Sequence, residues 1–373
     1  MTSSAAVGGV IFVEDALPQQ ARGAGHPRSL AVLRELAAIA EEVLVVPTLQ
    51  LPSVAVSPDP LPANVVVAQG DSRDALPRML AARPQRVRLV WVARPHNMAG
   101  VASLFARAPE LFSGVRIVYD SEALFCRREI MRQALAGTPV SDSRAKRMIR
   151  QELYPAEIAH AATAVSEEEC SLLRSRLACP VERVGYPAAW NDSGRPFAQR
   201  SGVLFVGAAP SPDSPNGDAL RFMLEEVWPR LGPGAPPLSV AGLGCEPDGW
   251  LAPFAGDRVR LVGPVADLAP LYDAARVFVA PTRFAAGIPI KVLDAARHGV
   301  PVVATTLLAR QLGWKDGEAL RVADVPDAFA SAVARIHGDE AMWHALRDGA
   351  RAALARDFDP DEFGRRVRRL AAG

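Results

Sequence analysis

Short apolar runs alternate with helical stretches along the first half of the chain. Residues 10–13, 43–46, 65–67, 87–92 and 115–119 are rich in Val and Ile and read as strands. Residues 27–40 carry Leu30, Val32, Leu33, Leu36 and Ala37 at helical spacing, and residues 72–82 and 100–107 read as further helices. Residues 144–170 read as long helical segments broken by a short strand near 163–165. Strands this short and apolar, alternating with helices, predict a parallel sheet covered on both faces. Arg88 and Arg116 interrupt two of the strands, which predicts that those two lie toward an edge.

The pattern breaks at residues 186–202, YPAAWNDSGRPFAQRSG, which have no periodicity and read as a linker. A second series then begins. Strands are expected at 203–206, 238–241, 259–262, 277–280 and 301–304, with a weak sixth at 319–322. Helices are expected at 217–228, 268–275, 288–297, 328–336 and 340–356. A last helix, 361–370, begins after Asp359 and Pro360, with acids in its first turn and Arg in its last. The expected division is therefore a first α/β domain over 1–190 and a second over 191–357. The final segment 358–373 is a helix that packs back on the first domain. Two doubly wound parallel sheets in tandem predict a ligand cleft at the carboxyl ends of their strands.

Composition narrows the classes. The chain has 373 residues, 49% hydrophobic and 22% charged, which is globular. Lys+Arg 42 against Asp+Glu 41 gives +1, so no polycation for nucleic acid is present. No apolar run approaches the ~18 residues of a membrane span. Cys126, Cys170, Cys179 and Cys245 have no metal-ligand spacing, so the expectation is free thiols in the cytoplasm and no metal site. The first fifteen residues carry no basic side chain and a short apolar run, unlike a signal peptide. Only Lys146, Lys291 and Lys315 are lysines; the other cations are Arg. Residues 127–150 hold seven basic side chains, Arg127, Arg128, Arg132, Arg144, Lys146, Arg147 and Arg150, against Glu129 and Asp142. That patch suits anionic lipid headgroups, or is a solvated pair of helix faces; it lacks the interleaved aromatics of a nucleic-acid reader.

The most chemical stretch is VFVAPTRFAAGIPIKVLDAARHGVPVVATT, residues 277–306. A buried strand delivers the loop PTRFAAG to the sheet edge, and a helix is expected to open around Ile288 with Pro289 in its first turn. Arg283, Gly287 and free helix N–H groups suit a diphosphate. Lys291 and Asp294, three apart, share a helix face. Lys291 can neutralise a phosphate and Asp294 can accept two ribose hydroxyls; the plainer alternative is a surface ion pair.

This segment resembles the donor-site pattern P-x-R-F-x-A-G-I-x-x-K-V-L-[DE]-A-x-x-x-G-x-P-V-V-A-T of GT-B-fold glycosyltransferases of family 4 (group 1). VLFVGAAPSPDSPNGDALRFMLEEVWPRL is similar to that family's first unit of the C-terminal domain, with its FVG…PN-x-DA pattern, and VRLVGPVADLAPLYDAARVFVAP to a later one. Upstream, RIVYDSEALFCRRE and AEIAHAATAVSEEECSLLRS resemble its acceptor-domain stretches, so the likeness runs over most of 115–370. The resemblance implies two Rossmann-like domains in a GT-B arrangement. It implies retaining transfer of a sugar from a nucleotide sugar, without metal or further cofactor, to a glycan or lipid-linked saccharide. It implies front-face attack aided by the departing phosphate; the thiols and the 127–150 patch add the expectation of a cytoplasmic protein with peripheral contact at the inner membrane face. In that pattern Asp294 binds ribose, and Arg283, Phe284, Gly287, Ile288 and Lys291 meet the diphosphate and sugar. Gly263 and Val265 meet the base, and Gly207 and Asn216 line the site beside the diphosphate. Departures are present: Ala286 stands where the first Glu of E-x7-E belongs, and Asp294 replaces the second. Ala285, Pro289 and Ile290 alter the loop, and Gly207 is followed by Ala-Ala-Pro in place of an Arg/Lys pair.

The acceptor side is expected from the first domain. The loop 18–29 carries Gly23, Gly25 and His26 and leads into a helix at Arg28. Arg94 and His96 follow one strand, and Asp120 and Glu122 close another. His96, Asp120 and Glu122 are the candidate catalytic groups and Gly25, His26 and Arg94 the candidate acceptor-side loop residues. Plainer roles are a mobile loop, a surface His, and Asp120 or Ser121 capping a helix that starts near Glu122. Two other functions fit the departures: a degenerate transferase kept as a binding scaffold, and a nucleotide-sugar epimerase. A dinucleotide-dependent dehydrogenase is disfavoured, because no G-x-G-x-x-G follows either opening strand.

Overall fold

A computed structural model describes residues 7–20, 25–49, 59–68, 72–83, 86–192 and 194–373. The chain forms two compact units, Met1–Pro187 with Asp361–Gly373, and Ala188–Pro360.

Unit 1 runs β1 (Val7–Glu14), α1 (His26–Ala37), β2 (Ala40–Pro47), β3 (Val65–Val67), α2 (Ser72–Ala82), β4 (Val87–Ala93), α3 (Pro95–Arg107), β5 (Arg116–Asp120), α4 (Phe125–Leu135), α5 (Asp142–Leu153), β6 (Ala161–Ala164), α6 (Glu167–Arg174) and β7 (Val181–Arg183). Its seven strands are parallel in the order β3-β2-β1-β4-β5-β6-β7. Strands β4 and β5 are therefore interior, not near an edge as their arginines suggested. Arg88 and Arg116 sit at the amino-terminal rim, where strands enter from solvent. Arg88 is exposed there, and Arg116 Nε donates to the Leu370 carbonyl at 3.1 Å. Alternate residues of β1 feed the two faces. Val10 and Phe12 join Leu33, Leu36, Trp91 and Val118 on one, while Ile11 and Val13 join Val92, Val101, Ile117 and Tyr119 on the other.

Unit 2 runs β8 (Val203–Val206), α7 (Pro215–Arg221), β9 (Leu238–Ala241), β10 (Val259–Gly263), α8 (Ala269–Ala274), β11 (Val277–Ala280), α9 (Ile290–Arg297), β12 (Val302–Ala304), α10 (Thr306–Leu312), β13 (Arg321–Val322), α11 (Pro326–Gly338) and α12 (Glu340–Asp357). The sheet order is β10-β9-β8-β11-β12-β13, again all parallel. The helix expected over 217–228 is a composite: α7 widens into a π-helical segment, Phe222–Val227, and tightens into a 3-10 turn, Trp228–Leu231. Helix α9 opens at Ile290, two residues later than expected. Gly287 is left-handed at φ 83°, the Ile290 N–H turns back to the Ile288 carbonyl at 2.9 Å, and Pro289 stands just outside as the N-cap.

The last helix, α13 (Pro360–Ala372), belongs to unit 1 from Asp361 onward. Its buried stripe, Phe363, Val367, Leu370 and Ala371, joins the Val10–Phe12 face of the sheet. Arg366 Nη1 donates to the Arg183 carbonyl at 2.8 Å. Each sheet reverses its winding direction at one pair of strands, β1/β4 in unit 1 and β8/β11 in unit 2, and the polar side chains described next gather at the carboxyl ends of those strands.

Candidate functional site

Unit 1 gathers its charges at the carboxyl rim of β1, β4 and β5. Glu14 ends β1 and Asp15 follows; Arg28 and Ser29 lie in the first turn of α1; Arg94 links β4 to α3; Asp120 ends β5. Arg28 and Asp120 are 1% exposed and Glu14 is 0% exposed, so water cannot solvate them and each must find a partner. Arg28 Nη1 donates to Asp120 Oδ2 at 2.8 Å, and its Nε donates to the Gly185 carbonyl at 2.8 Å. Asp120 also accepts from Thr163 Oγ1 at 2.8 Å and Trp91 Nε1 at 3.2 Å. It does not cap a helix: α4 starts at Phe125, with Leu124 before it. Arg94 Nε donates to Glu14 Oε1 at 2.6 Å and lies 3.3 Å from Asp15 Oδ2, while its Nη2 lies 3.1 Å from Glu122 Oε2. His96 Nε2 meets Asp15 Oδ1 at 2.5 Å, and Asn97 Nδ2 donates to the same oxygen at 3.0 Å. His96 is 40% exposed and is the solvent-facing end of this network.

Gly25 closes the group. Its φ is 87°, and a Cβ there would fall 2.9 Å from Glu122 Oε2 and 3.3 Å from Arg94 Nη2, so a side chain would collide with the pair. His26 is buried as the first residue of α1. Gly23 lies outside the described residues. Burial opposes charge on Arg28, but Asp120 and Glu122 outweigh it and hold its guanidinium above the ordinary range. Burial likewise pushes the Asp15 carboxyl up, but His96 and Arg94 prevail and keep it low. For Glu122 burial prevails, aided by the negative charge of Glu14, and its carboxyl is pushed up to about 8.

Unit 2 builds a sparser site from β8, α7, β11 and α9. Lys291, in the first turn of α9, donates from Nζ to Asn216 Oδ1 at 2.6 Å and Thr282 Oγ1 at 2.9 Å. Nζ also sits 4.9 Å from the Phe205 ring centroid. It does not pair with Asp294, and among the described residues it meets no carboxylate. Burial therefore pulls its ammonium down to about 7. Asn216 reaches Lys291 by crossing Gly207, whose missing Cβ would lie 2.7 Å from Asn216 Nδ2. That close approach accounts for the FVG…PN spacing.

Arg283 is held by Asp218 of α7: Nε donates to Oδ2 at 2.9 Å and Nη2 to Oδ1 at 2.5 Å. Asp294 lies one turn into α9, with Oδ1 3.6 Å from Arg297 Nε and no hydrogen-bond partner on that oxygen. Burial raises its carboxyl to about 6, with Arg297 opposing. Phe284 is buried, Ile288 is half-buried, and Gln311 Nε2 ties the loop by donating to the Ala285 carbonyl at 3.2 Å. Gly263 and the half-buried Val265 lie at the end of edge strand β10, two strands over from β8.

The structure thus brings His96, Asp120, Glu122, Arg94 and Gly25 together in unit 1, and Lys291, Asn216 and Gly207 together in unit 2. Sequence reasoning passed over Glu14, Asp15, Arg28, Ser29, Asp218 and Thr282. An acid pair directly after an apolar strand, FVED, was the available signal for the first two, and the PN-x-DA pattern for Asp218. In the basic segment, Arg127 pairs with Glu168 and Arg132 with Glu129. Arg144, Lys146, Arg147 and Arg150 stand exposed on α5 with no ion pair among the described residues.

Comparison with known proteins places this architecture in a class. Sucrose-phosphate synthase from Thermosynechococcus elongatus is 16% identical over 97% of this chain and 98% of its own, with a TM-score of 0.69. HepE from Anabaena, in complex with UDP and glucose, is 13% identical over 98% and 99%, with a TM-score of 0.67. The pneumococcal O-GlcNAc transferase GtfA, in complex with UDP and GlcNAc, is 12% identical over 81% of this chain and 60% of its own, with a TM-score of 0.58. The fold is GT-B, with two Rossmann-like units. Residues 200–339, which hold Gly207, Asn216, Arg283, Lys291 and Asp294, match the family of glycosyl transferases, group 1. No curated protein sequence matches the chain. Among the described residues, no helix is long and apolar enough to cross a membrane.

Proposed function

We propose that the chain transfers a sugar from a nucleotide-sugar donor to a glycan or lipid-linked saccharide, with retention and without a metal, as a family-4-type glycosyltransferase. One observation carries the reading: Lys291, a half-buried ammonium hydrogen-bonded only to neutral oxygens, lies in the segment that matches group 1 glycosyltransferases. A cation partly withdrawn from water without a counter-charge gains from the arrival of an anion.

In this reading the donor diphosphate lies against Lys291 and the Gly287 turn. The ammonium absorbs the charge that develops on the leaving phosphate, which is the term an enzyme gains most from preorganising. Asp294, with a free carboxylate oxygen, accepts from the ribose hydroxyls. Arg283 is shared between Asp218 and the diphosphate. Unit 1 holds the acceptor, with His96 at the exposed end of its network nearest to solvent. The exposed cations of α5 hold the protein against anionic lipid at the cytoplasmic membrane face. HepE and GtfA are described with UDP, so UDP sugars are the first donors to examine.

The test is donor binding. UDP, GDP, ADP and dTDP sugars are titrated calorimetrically against the natural protein, Lys291→Ala and Asp294→Ala. One nucleotide class is expected to bind the natural protein and to weaken in both variants. Equal binding in all three proteins overturns the donor site.

A further inference from the structure

Ser29 Oγ lies 2.6 Å from Glu122 Oε1 and is also within hydrogen-bond reach of Glu14 Oε2. A serine hydroxyl has one hydrogen and can donate to only one of them. Two ionised carboxylates would leave the other contact as lone pair against lone pair, at groups buried from bulk solvent. One of the two acids therefore carries a proton and donates it to Ser29.

The surroundings decide which. Glu14 Oε1 accepts from Arg94 Nε at 2.6 Å and from the Asp15 backbone N–H at 2.7 Å, and both donors favour an ionised carboxylate. Glu122 Oε2 has no hydrogen-bond partner and lies beside Arg94 Nη2 as a bare ion-pair contact. The charged groups facing Glu122 are Glu14 from β1, Arg28 from α1 (3.7 Å from Oε1), Arg94 after β4, and Asp120 of β5. Arg28 is already committed to Asp120, and Arg94 to Glu14 and Asp15. Among the described residues, a fourth negative charge would have no cation left to itself.

We propose that Glu122 is held as the neutral acid at pH 7, its proton shared through Ser29 with Glu14, and that it serves as a positioning residue for Arg94 and, through Asp15, for His96. Neutral Glu122 leaves Arg94 to Glu14 and Asp15, and Asp15 in turn fixes His96. When Glu122 releases its proton to solvent, Arg94 is drawn toward the new charge and Asp15 loses part of its hold. The backbone is consistent with a contact that is enforced. Arg94 (φ 76°) and Glu122 (φ 49°) are the two non-glycine residues with left-handed φ among those described, and they face each other. The assignment stands on this geometry and not on the chain's being a transferase.

The natural protein, labelled with 13C at glutamate carboxyls, is the direct test. One glutamate resonance is expected at the protonated position at pH 7 and absent in Glu122→Gln. Overturning results are a spectrum with every glutamate ionised at pH 7, or a protonated signal that persists in Glu122→Gln and vanishes in Glu14→Gln. A second measurement is the thermal midpoint of Glu122→Gln minus that of the natural protein. A folded carboxyl raised above its unfolded value loses stability as pH rises, and the amide does not. The difference should grow by roughly 3–5 °C per pH unit from pH 5 to 8. A flat difference overturns the proposal. The positioning role is read at His96. Its ring resonances should shift through the Glu122 transition in the natural protein and not in Glu122→Gln; a His96 signal blind to that transition removes the role.

Discussion

In unit 1 each buried guanidinium of the cluster faces a carboxylate, Arg28 facing Asp120 at 2.8 Å and Arg94 facing Glu14 at 2.6 Å. In unit 2 the Lys291 ammonium faces an amide oxygen and a hydroxyl. Both sites occupy the same place in their folds, the carboxyl rim where the sheet reverses direction. The first has satisfied its charges internally, so a ligand there competes with ion pairs already made. The second keeps a half-buried cation that meets no carboxylate among the described residues. Equivalent positions in two similar sheets thus differ: one pairs its cations with carboxylates, the other leaves Lys291 among neutral oxygens.

Arg28→Ala bears hardest on that contrast. It strips Asp120 of its cation in a dry setting, and denaturant unfolding should show a loss of about 3–5 kcal/mol. A loss below about 1 kcal/mol would mean that the cluster relaxes and is not rigid. Lys291→Met should do the reverse. Thermal stability is expected to hold or rise, while donor binding measured by calorimetry falls about 10- to 100-fold, as for a lost hydrogen bond to a charged group. A fall in stability with unchanged binding would make Lys291 a packing residue.

The two sites should also answer pH with opposite sign. Glu122 is raised in the folded state, so its contribution is lost as pH rises from its unfolded value near 4.5 toward about 8. Lys291 is depressed from 10.5 to about 7, so the folded protein without donor gains stability as pH rises across that interval. An anionic donor restores the ammonium, and binding should take up a proton. Its affinity should fall by up to about tenfold per unit above pH 7, with heats that depend on the buffer's ionisation enthalpy. Heats independent of buffer would show that Lys291 is charged throughout. The smallest effect is expected from Asp218→Asn, whose ion pair with Arg283 is part-exposed. Stability should change by less than about 1 kcal/mol, and donor affinity should rise a few-fold as Arg283 is freed. Weaker binding would mean that Asp218 aims Arg283 rather than competing for it.

Most strands were legible because a buried parallel strand has little freedom in composition. VLFV at 203–206 and VFVA at 277–280 admit no other reading between loop residues. Strand order was less legible. Arg88 and Arg116 suggested edges because periodicity does not distinguish a strand's rim from its flank, and both sit at the rim. Strand β7 and helix α10 went unread, and α4 was read only as a helix starting near Glu122, three residues before its start at Phe125. Val181–Arg183 is three residues long, and Phe125–Leu135 is so rich in Arg that its apolar stripe is thin. The Lys291 neighbourhood was legible because loop, glycine and lysine lie within one short segment. The unit 1 cluster was legible only in part. Its bonds join residues 80 and 92 positions apart, and an Arg–Glu pair at that distance leaves no periodic trace. Glu14 looks like the start of a solvated loop until β4 and β5 are placed beside it.

Helix α13 carries a consequence for how the protein is made. Unit 1 acquires its last strand, β7, by Arg183, but the stripe of Phe363, Val367 and Leu370 that covers one face of its sheet is synthesised only after unit 2. All of Ala188–Pro360 is translated in between. At about 5–20 residues per second, that face waits for many seconds without its final cover. Apolar surface made early thus stays without its final cover until all of unit 2 has been made. Loss of α13 is therefore expected to expose the Val10–Phe12 face of a sheet made long before it.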